Sequence, residues 1–311
     1  MEIGVALPNI GPSANREVLF GMADRADELG IDTVWTGDHL AFPYKPQLPY
    51  PYSRDEPRFL SGESPILDPL AVMAAIIGRT KRVRVGVSVL ILPYRHPLVT
   101  AKMLASMDVM GPGRVVLGIG VGWIPEEFAA VNADIKKRGA ESDEQLRYFR
   151  ELWANDQADH KGKFYEFSGL GFFPKPTARS IPIWVGGNSA FAMRRAARLG
   201  DGLHFIDLTR EELLQHIEEF KRVCETEDRD VGDVVLSVRS GFRVTEKPLS
   251  DQEREIPFAG TPGQIIEDLQ AFEAMGIRHV CLGPRPRDGS AEAHVELVEV
   301  IGKEVVPALR D

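Results

Sequence analysis

Ile31-Asp32-Thr33-Val34-Trp35-Thr36-Gly37-Asp38-His39 is a short β-type run that ends abruptly on an acid and an imidazole side by side. Before it, Leu29-Gly30 reads as a helix closed by a glycine C-cap that turns directly into the strand. The same junction recurs at Leu199-Gly200-Asp201-Gly202-Leu203 and at Met275-Gly276-Ile277. A repeated helix-to-strand junction describes a chain assembled from β-α units, with chemistry presented at a strand tip.

On that rule the chain predicts eight strands: Glu2 to Leu7, Thr33 to Thr36, Val83 to Ile91, Val115 to Ile119, Pro182 to Val185, Leu203 to Ile206, Val234 to Val238 and His279 to Leu282. Eight parallel strands alternating with helices make an α/β fold, a closed (β/α)8 TIM barrel, expected to occupy residues 1–311 as one domain. The helices carry suitable apolar faces. Val18, Met22, Ala26 and Leu29 share one side of the first, and Ile265, Ile266, Leu269 and Phe272 mark the last. Asp68-Pro69 supplies an N-cap and a proline at the first helical position for the helix through Met73 to Ile77. Two stretches exceed the repeat and are expected as insertions at the C-terminal mouth. Leu40 to Pro65, rich in Pro, Tyr and Phe, is a candidate lid, and Asn155 to Ser180 contains a hairpin-like His160 to Phe167.

A hydrophobic content of 43% and a charged content of 27% allow a large core and argue against disorder. The net charge of −9, with no local cluster of Lys and Arg, argues against a nucleic-acid partner. The N-terminus reads as a first strand with no basic or long apolar leader, and no segment reaches membrane-spanning length. Cys224 and Cys281 fall on a predicted helix and a predicted strand, without metal or redox spacing. They are expected to be reduced core thiols of a cytoplasmic protein.

Asp38-His39 stands where barrel enzymes place catalytic groups, and a histidine there moves protons near neutral pH; the alternative is a histidine that merely satisfies loop backbone. Gly118-Ile119-Gly120-Val121-Gly122-Trp123 follows the fourth strand. It lets a flat ligand or a phosphate approach the backbone, or else serves close packing at the rim. Its G-x-G-x-G spacing, on a fourth strand, is a weak dinucleotide signal. Trp184-Val185-Gly186-Gly187-Asn188-Ser189 repeats the theme on strand five, where a helix starts at once and its N-terminal amides suit a phosphate; simple N-capping by Asn188 or Ser189 is the alternative. One cofactor with a planar ring and a phosphate accounts for both glycine tips. Arg95-His96-Pro97 ends the third strand as a turn, with both side chains solvated or capping the next helix. Arg239, Arg243, Arg285 and Arg287 near strands seven and eight either face an anionic ligand or are solvated loop residues.

Together these residues resemble the bacterial-luciferase-like monooxygenase superfamily, and more closely its branch dependent on the deazaflavin coenzyme F420. The likeness covers almost the whole chain. Its most specific stretches are Ser88 to Pro97, Gly113-Arg114 through Gly122-Trp123 to Glu126-Glu127-Phe128, Asp143-Glu144-Gln145-Leu146 to Leu152-Trp153, and Ile183 to Gly187 with Asp201-Gly202. The resemblance implies a barrel with the cofactor ring at its C-terminal mouth, a homodimer, and a non-proline cis peptide joining Ser88 and Val89 behind the ring. It implies that Asp38 hydrogen-bonds the cofactor, that His39 is the acid/base residue, that Gly120 and Gly122 border the ring, and that Gly186, Gly187 and Asn188 take the phosphate. Trp123 stands where sugar-phosphate dehydrogenases of that branch carry a glutamate, so their substrate does not carry over directly. The expected activity is hydride transfer between F420 and a small organic substrate. The alternatives are an FMN-dependent monooxygenase on the same fold and a non-catalytic flavin-binding protein. A metal-dependent hydrolase is disfavoured because the strand tips hold no Asp/Glu/His set with ligand-like spacing.

Overall fold

The computed structural model describes residues 1–45, 61–254, 257–286 and 288–310. Eight parallel strands follow one another around a closed ring: β1 (Glu2–Ala6), β2 (Thr33–Thr36), β3 (Arg84–Ile91), β4 (Val115–Gly120), β5 (Ile183–Gly186), β6 (Gly202–Ile206), β7 (Val235–Val244) and β8 (His279–Pro284). The ring closes where Glu2 of β1 lies opposite His279 of β8. The eight expected strands are all present, with β7 running on to Val244 rather than stopping at Val238.

Alternation along the strands divides the interior in two. Ile3, Val5, Val34, Val85, Val87, Leu117, Ile119, Leu203 and Val280 face outward into a core under the helices. Ala6, Trp35, Val116, Trp184 and Cys281 pack as a separate cluster inside the ring. Trp35 and Trp184 lie 5.3 Å apart, centroid to centroid. They fit because Gly86 and Gly202 stand opposite, where a Cβ would come within 2.5 Å and 2.6 Å of the indoles.

Between the strands run α1 (Arg16–Leu29), α2 (Pro69–Arg79), α3 (Pro97–Met110), α4 (Pro125–Ala130), α5 (Arg138–Ala154), α6 (Ala190–Leu199), α7 (Arg210–Thr226) and α8 (Pro262–Ala274), with α9 (Ala291–Val300) after β8. Asp68 caps α2 as expected, accepting from Leu70 N at 2.9 Å and Ala71 N at 3.1 Å; such a cap is worth about 1 kcal/mol. Gly30 and Gly276 adopt the left-handed conformation (φ 73° and 97°) that makes glycine the favoured residue at a helix end. Gly200 differs. Its φ is −95°, and glycine is needed there because a Cβ would sit 3.0 Å from Ala196 O.

The Asn155 to Ser180 insertion forms an antiparallel hairpin of Gln157–Lys161 and Glu166–Gly171. Its contacts are with α5 and with His96 at the start of α3, whose ring lies 5.6 Å from that of Tyr165. Glu144 of α5 accepts from the amides of Lys163 (2.8 Å), Phe164 (3.0 Å) and Tyr165 (2.8 Å), and Tyr148 packs on Tyr165 and Phe167. A carboxylate aimed at three consecutive amides fixes the hairpin turn to α5. Most of the expected lid, residues 46–60, lies outside the described residues. Among the described residues no helix is long and apolar enough to cross a membrane.

Candidate active site

The tip of β2 is anchored by Asn9, whose side chain accepts from Gly37 N at 2.7 Å and donates to Gly37 O and Leu67 O, both at 2.8 Å. This clamp presents Asp38 and His39 at the C-terminal mouth. The two side chains then part company.

His39 shares its Nδ1 with Glu127 Oε2 of α4 at 2.7 Å. The other carboxylate oxygen accepts from Leu40 N at 2.7 Å and Ala41 N at 3.2 Å, and the Tyr94 hydroxyl donates to Oε2 at 3.0 Å. Burial opposes ionisation of Glu127, but the His39 bond and the two amides outweigh it and hold the carboxyl below its usual range. Burial, followed by the Glu127 charge, pushes the Tyr94 phenol upward, so it stays a donor. An ionised Glu127 requires Nδ1 of His39 to carry a proton, which leaves Nε2 as the atom that accepts or releases one. The imidazole lies 4.7 Å from the Phe42 ring and 6.4 Å, edge-on, from Trp123.

Asp38 turns inward, its side chain 0% exposed. Its Oδ2 accepts from Ile91 N at 2.8 Å and Arg95 at 2.6 Å, and its Oδ1 accepts from the other Arg95 nitrogen at 2.8 Å. Burial outweighs the Arg95 guanidinium and raises the Asp38 carboxyl above its usual range, while the geometry, with both oxygens accepting, is that of the ionised form. Arg95 also donates to Asp68, the cap of α2, at 2.8 Å. Asp38 therefore ties β2 to the end of β3 and has no exposed oxygen for a cofactor. This departs from the role that the resemblance implied, and Arg95 is neither solvated nor a cap.

The Ser88–Val89 peptide is cis. Arg239 of β7 donates to Ser88 O at 2.8 Å, so it too is engaged rather than solvated. A Cβ on Gly120 or on Gly186 would lie 2.4 Å from a Val89 methyl; Val89 thus fills the space that these two glycines leave at the mouth. Gly122 has φ 78° and packs on Ile91 and Phe128. Gly187, at φ 119°, gives its N–H to His204 O at 3.0 Å. The Asn188 side chain bridges to β6, donating to Ile206 O at 2.8 Å and accepting from Ile206 N at 3.0 Å, which leaves its backbone for any ligand. Ser189 caps α6 through Ala192 N at 3.2 Å, and the other first-turn amides face the mouth end of the helix. His96 caps α3, accepting from Leu98 N at 3.2 Å. Arg287 lies outside the described residues.

Glu127, Tyr94, Asn9 and Arg95 were missed as site residues in the sequence. Glu127 had one signal, the Glu126-Glu127-Phe128 run after the Gly-Trp tip; its partner is 88 positions away, a pairing that only the closed ring creates.

Residues 1–254 match the family model for the luciferase-like monooxygenases. The chain belongs to that family. It is 31% identical over 238 residues to an F420-dependent glucose-6-phosphate dehydrogenase of Amycolatopsis mediterranei (strain U-32), an alignment covering 74% of this chain and 66% of the relative. This chain thus spans just under two thirds of that relative's length. Among solved structures, an F420-dependent secondary alcohol dehydrogenase in complex with an F420-acetone adduct superposes with a TM-score of 0.79 at 20% identity, covering 100% of this chain and 99% of the other. A type II Baeyer-Villiger monooxygenase from Pseudomonas putida in complex with FMN gives 0.71 at 18% identity, covering 99% and 98%. At these identities the two structures establish the shared barrel.

Proposed function

We propose that this chain is an oxidoreductase that moves a hydride between coenzyme F420 and a small organic substrate, with His39 as the acid/base residue. The observation that carries this reading is the His39–Glu127 pair, a polarised imidazole whose Nε2 has no hydrogen-bond partner among the described residues and whose ring lies near Trp123 and Phe42. The family and the F420-dependent relative support the cofactor.

The residues present fit such a group. Ser88 and Val89 form a surface for a flat ring, with Gly120 and Gly186 acting through Val89 and Gly122 shaping the adjoining turn. The backbone of Gly186, Gly187 and Asn188 and the first turn of α6 suit a phosphate. When bound, F420 supplies a two-electron hydride carrier. His39 Nε2 takes the proton from a substrate hydroxyl, or returns it in the reductive direction, while the Glu127 carboxylate stabilises the imidazolium and fixes the ring. Phe42 and Trp123 flank the imidazole and limit water at the transferring proton. Because Trp123 stands in place of the glutamate of the sugar-phosphate dehydrogenases, this position supplies no second acid/base group.

An FMN-dependent monooxygenase is the second reading, favoured by the FMN-bound structural neighbour. Titration with F420 and with FMN separates them: we expect tighter binding of F420, and tight FMN binding without F420 binding would transfer the chain to the monooxygenases. The apolar exposed side of α3, with Val99, Met103 and Met110, supports a homodimer, which sedimentation as a monomer would overturn. Cys224 and Cys281, both buried free thiols, support a reducing, cytoplasmic setting, which recovery of the protein from an oxidising compartment would contradict.

A further inference from the structure

Inside the barrel, below the mouth, a continuous line of hydrogen bonds joins five strands. Trp35 Nε1–H donates to Thr33 Oγ1 at 2.8 Å and, more weakly, toward His279 Nε2 at 3.3 Å. Thr33 Oγ1 and His279 Nε2 are 2.8 Å apart, His279 Nδ1 and Ser237 Oγ 2.8 Å, Ser237 Oγ and His204 Nδ1 2.7 Å, and His204 Nε2 and Ser88 Oγ 2.9 Å. The register makes the line possible, since Ser237 lies directly opposite both His204 and His279 on its two neighbouring strands. Thr33, Trp35, Ser237 and His279 are 0% exposed and His204 is 2% exposed, whereas Ser88 is partly exposed.

Such a line has two possible senses, and its buried end selects one. An indole nitrogen is a donor and never an acceptor. If Thr33 accepts from Trp35 and donates to His279 Nε2, every group is satisfied. His279 is then protonated on Nδ1 and donates to Ser237, Ser237 donates to His204 Nδ1, and His204 donates from Nε2 to Ser88. In the opposite sense two N–H groups converge on Thr33, and its hydroxyl hydrogen has no acceptor among the described residues, a costly arrangement in a sealed site. Burial keeps both imidazoles neutral, so tautomer rather than charge is the variable.

We propose that this line is a one-way relay that makes Ser88 an obligatory hydrogen-bond donor to the cofactor ring. Ser88 Oγ already accepts from His204, and an Arg239 nitrogen approaches it at 3.4 Å, so its own hydrogen is left for the mouth. The ring system of a deazaflavin offers acceptor atoms to meet it. This role rests on the F420 reading above, while the direction of the relay does not. Ser88 thereby becomes a cofactor-positioning residue set by Trp35, which lies deep in the ring.

The test begins with the cofactor-free protein labelled with 15N-histidine, because long-range 15N–1H spectra distinguish the two neutral tautomers. We expect His204 protonated on Nε2 and His279 on Nδ1 from pH 6 to 8, with both tautomers of each populated once Trp35→Phe removes the donor. The reverse assignment in the wild type overturns the relay, whatever the variant does. We expect Ser88→Ala, with the His204 tautomer retained, to bind F420 about tenfold more weakly, as for one lost hydrogen bond. Unchanged affinity overturns the donor role alone. A wild type that carries the expected tautomers but fails to bind F420 overturns the cofactor reading, and with it that role, while the relay's direction stands.

Discussion

Glu127→Gln probes whether a buried carboxylate sets the tautomer of the proposed base. Glu127 Oε1 faces two amides, Leu40 N at 2.7 Å and Ala41 N at 3.2 Å, so the glutamine oxygen is held there and its NH2 falls opposite His39 and Tyr94. The Tyr94 hydroxyl turns to accept. His39 meets an NH2 only with a bare Nδ1, which moves the ring proton to Nε2 and removes the atom that accepts the substrate proton. Four bonds to a charged acceptor become neutral at a loss of about 1 kcal/mol each. Relief from burying a charge offsets part of this, for a net destabilisation of about 2 kcal/mol. The fold survives that loss, while turnover falls by about 10² to 10⁴, the range for an ineffective general base. Urea unfolding gives the first quantity, the decay of the cofactor's visible absorbance during turnover gives the second, and 15N spectra of His39 report the tautomer directly. A variant in which His39 keeps its proton on Nδ1, or turns over near the wild-type rate, refutes the argument.

Three further outcomes follow from the same geometry. His39→Ala is expected to keep cofactor affinity and thermal stability while lowering turnover by about 10² to 10⁴; collapse of binding with turnover retained would make His39 a ligand instead. Gly187→Val is expected to weaken F420 binding without unfolding the barrel, because φ is 119° there and a β-branched residue disturbs the backbone at the proposed phosphate site; unchanged affinity in an isothermal titration would leave Ser189 a capping role only. Acid should destabilise the protein through the relay histidines. Burial, then Arg239, lowers His204 to about 3, and burial, then His204, lowers His279 well below its ordinary value. The unfolded chain therefore binds more protons once pH falls below about 6.5, and stability drops from there toward the folded pKa by up to about 1.4 kcal/mol per pH unit for each histidine. Urea midpoints that stay level from pH 7.5 to 5 would contradict this.

The order and spacing of the eight strands could be read from the chain because each is a short local pattern bounded by its own turn signals. The junctions at Gly30 and Gly276, the Asp68-Pro69 start of α2 and the presentation of His39 at a strand tip were local in the same sense. The partners of those tips were not. Glu127 reaches His39, Arg95 reaches Asp38, and Val89 fills the space beside Gly120 and Gly186 only once the ring has closed. The resemblance implied that Asp38 meets the cofactor; a guanidinium from the turn after the next strand claims it. The tie between the 155–180 hairpin and Glu144 of α5 was equally hidden. The relay from Trp35 to Ser88 was invisible for the same reason, since its members lie on five strands and their adjacency follows from register. Periodicity and turn chemistry act over a few residues and determine the elements, while buried polar groups take whatever partner the closed barrel brings within about 3 Å, a pairing that tertiary structure alone decides.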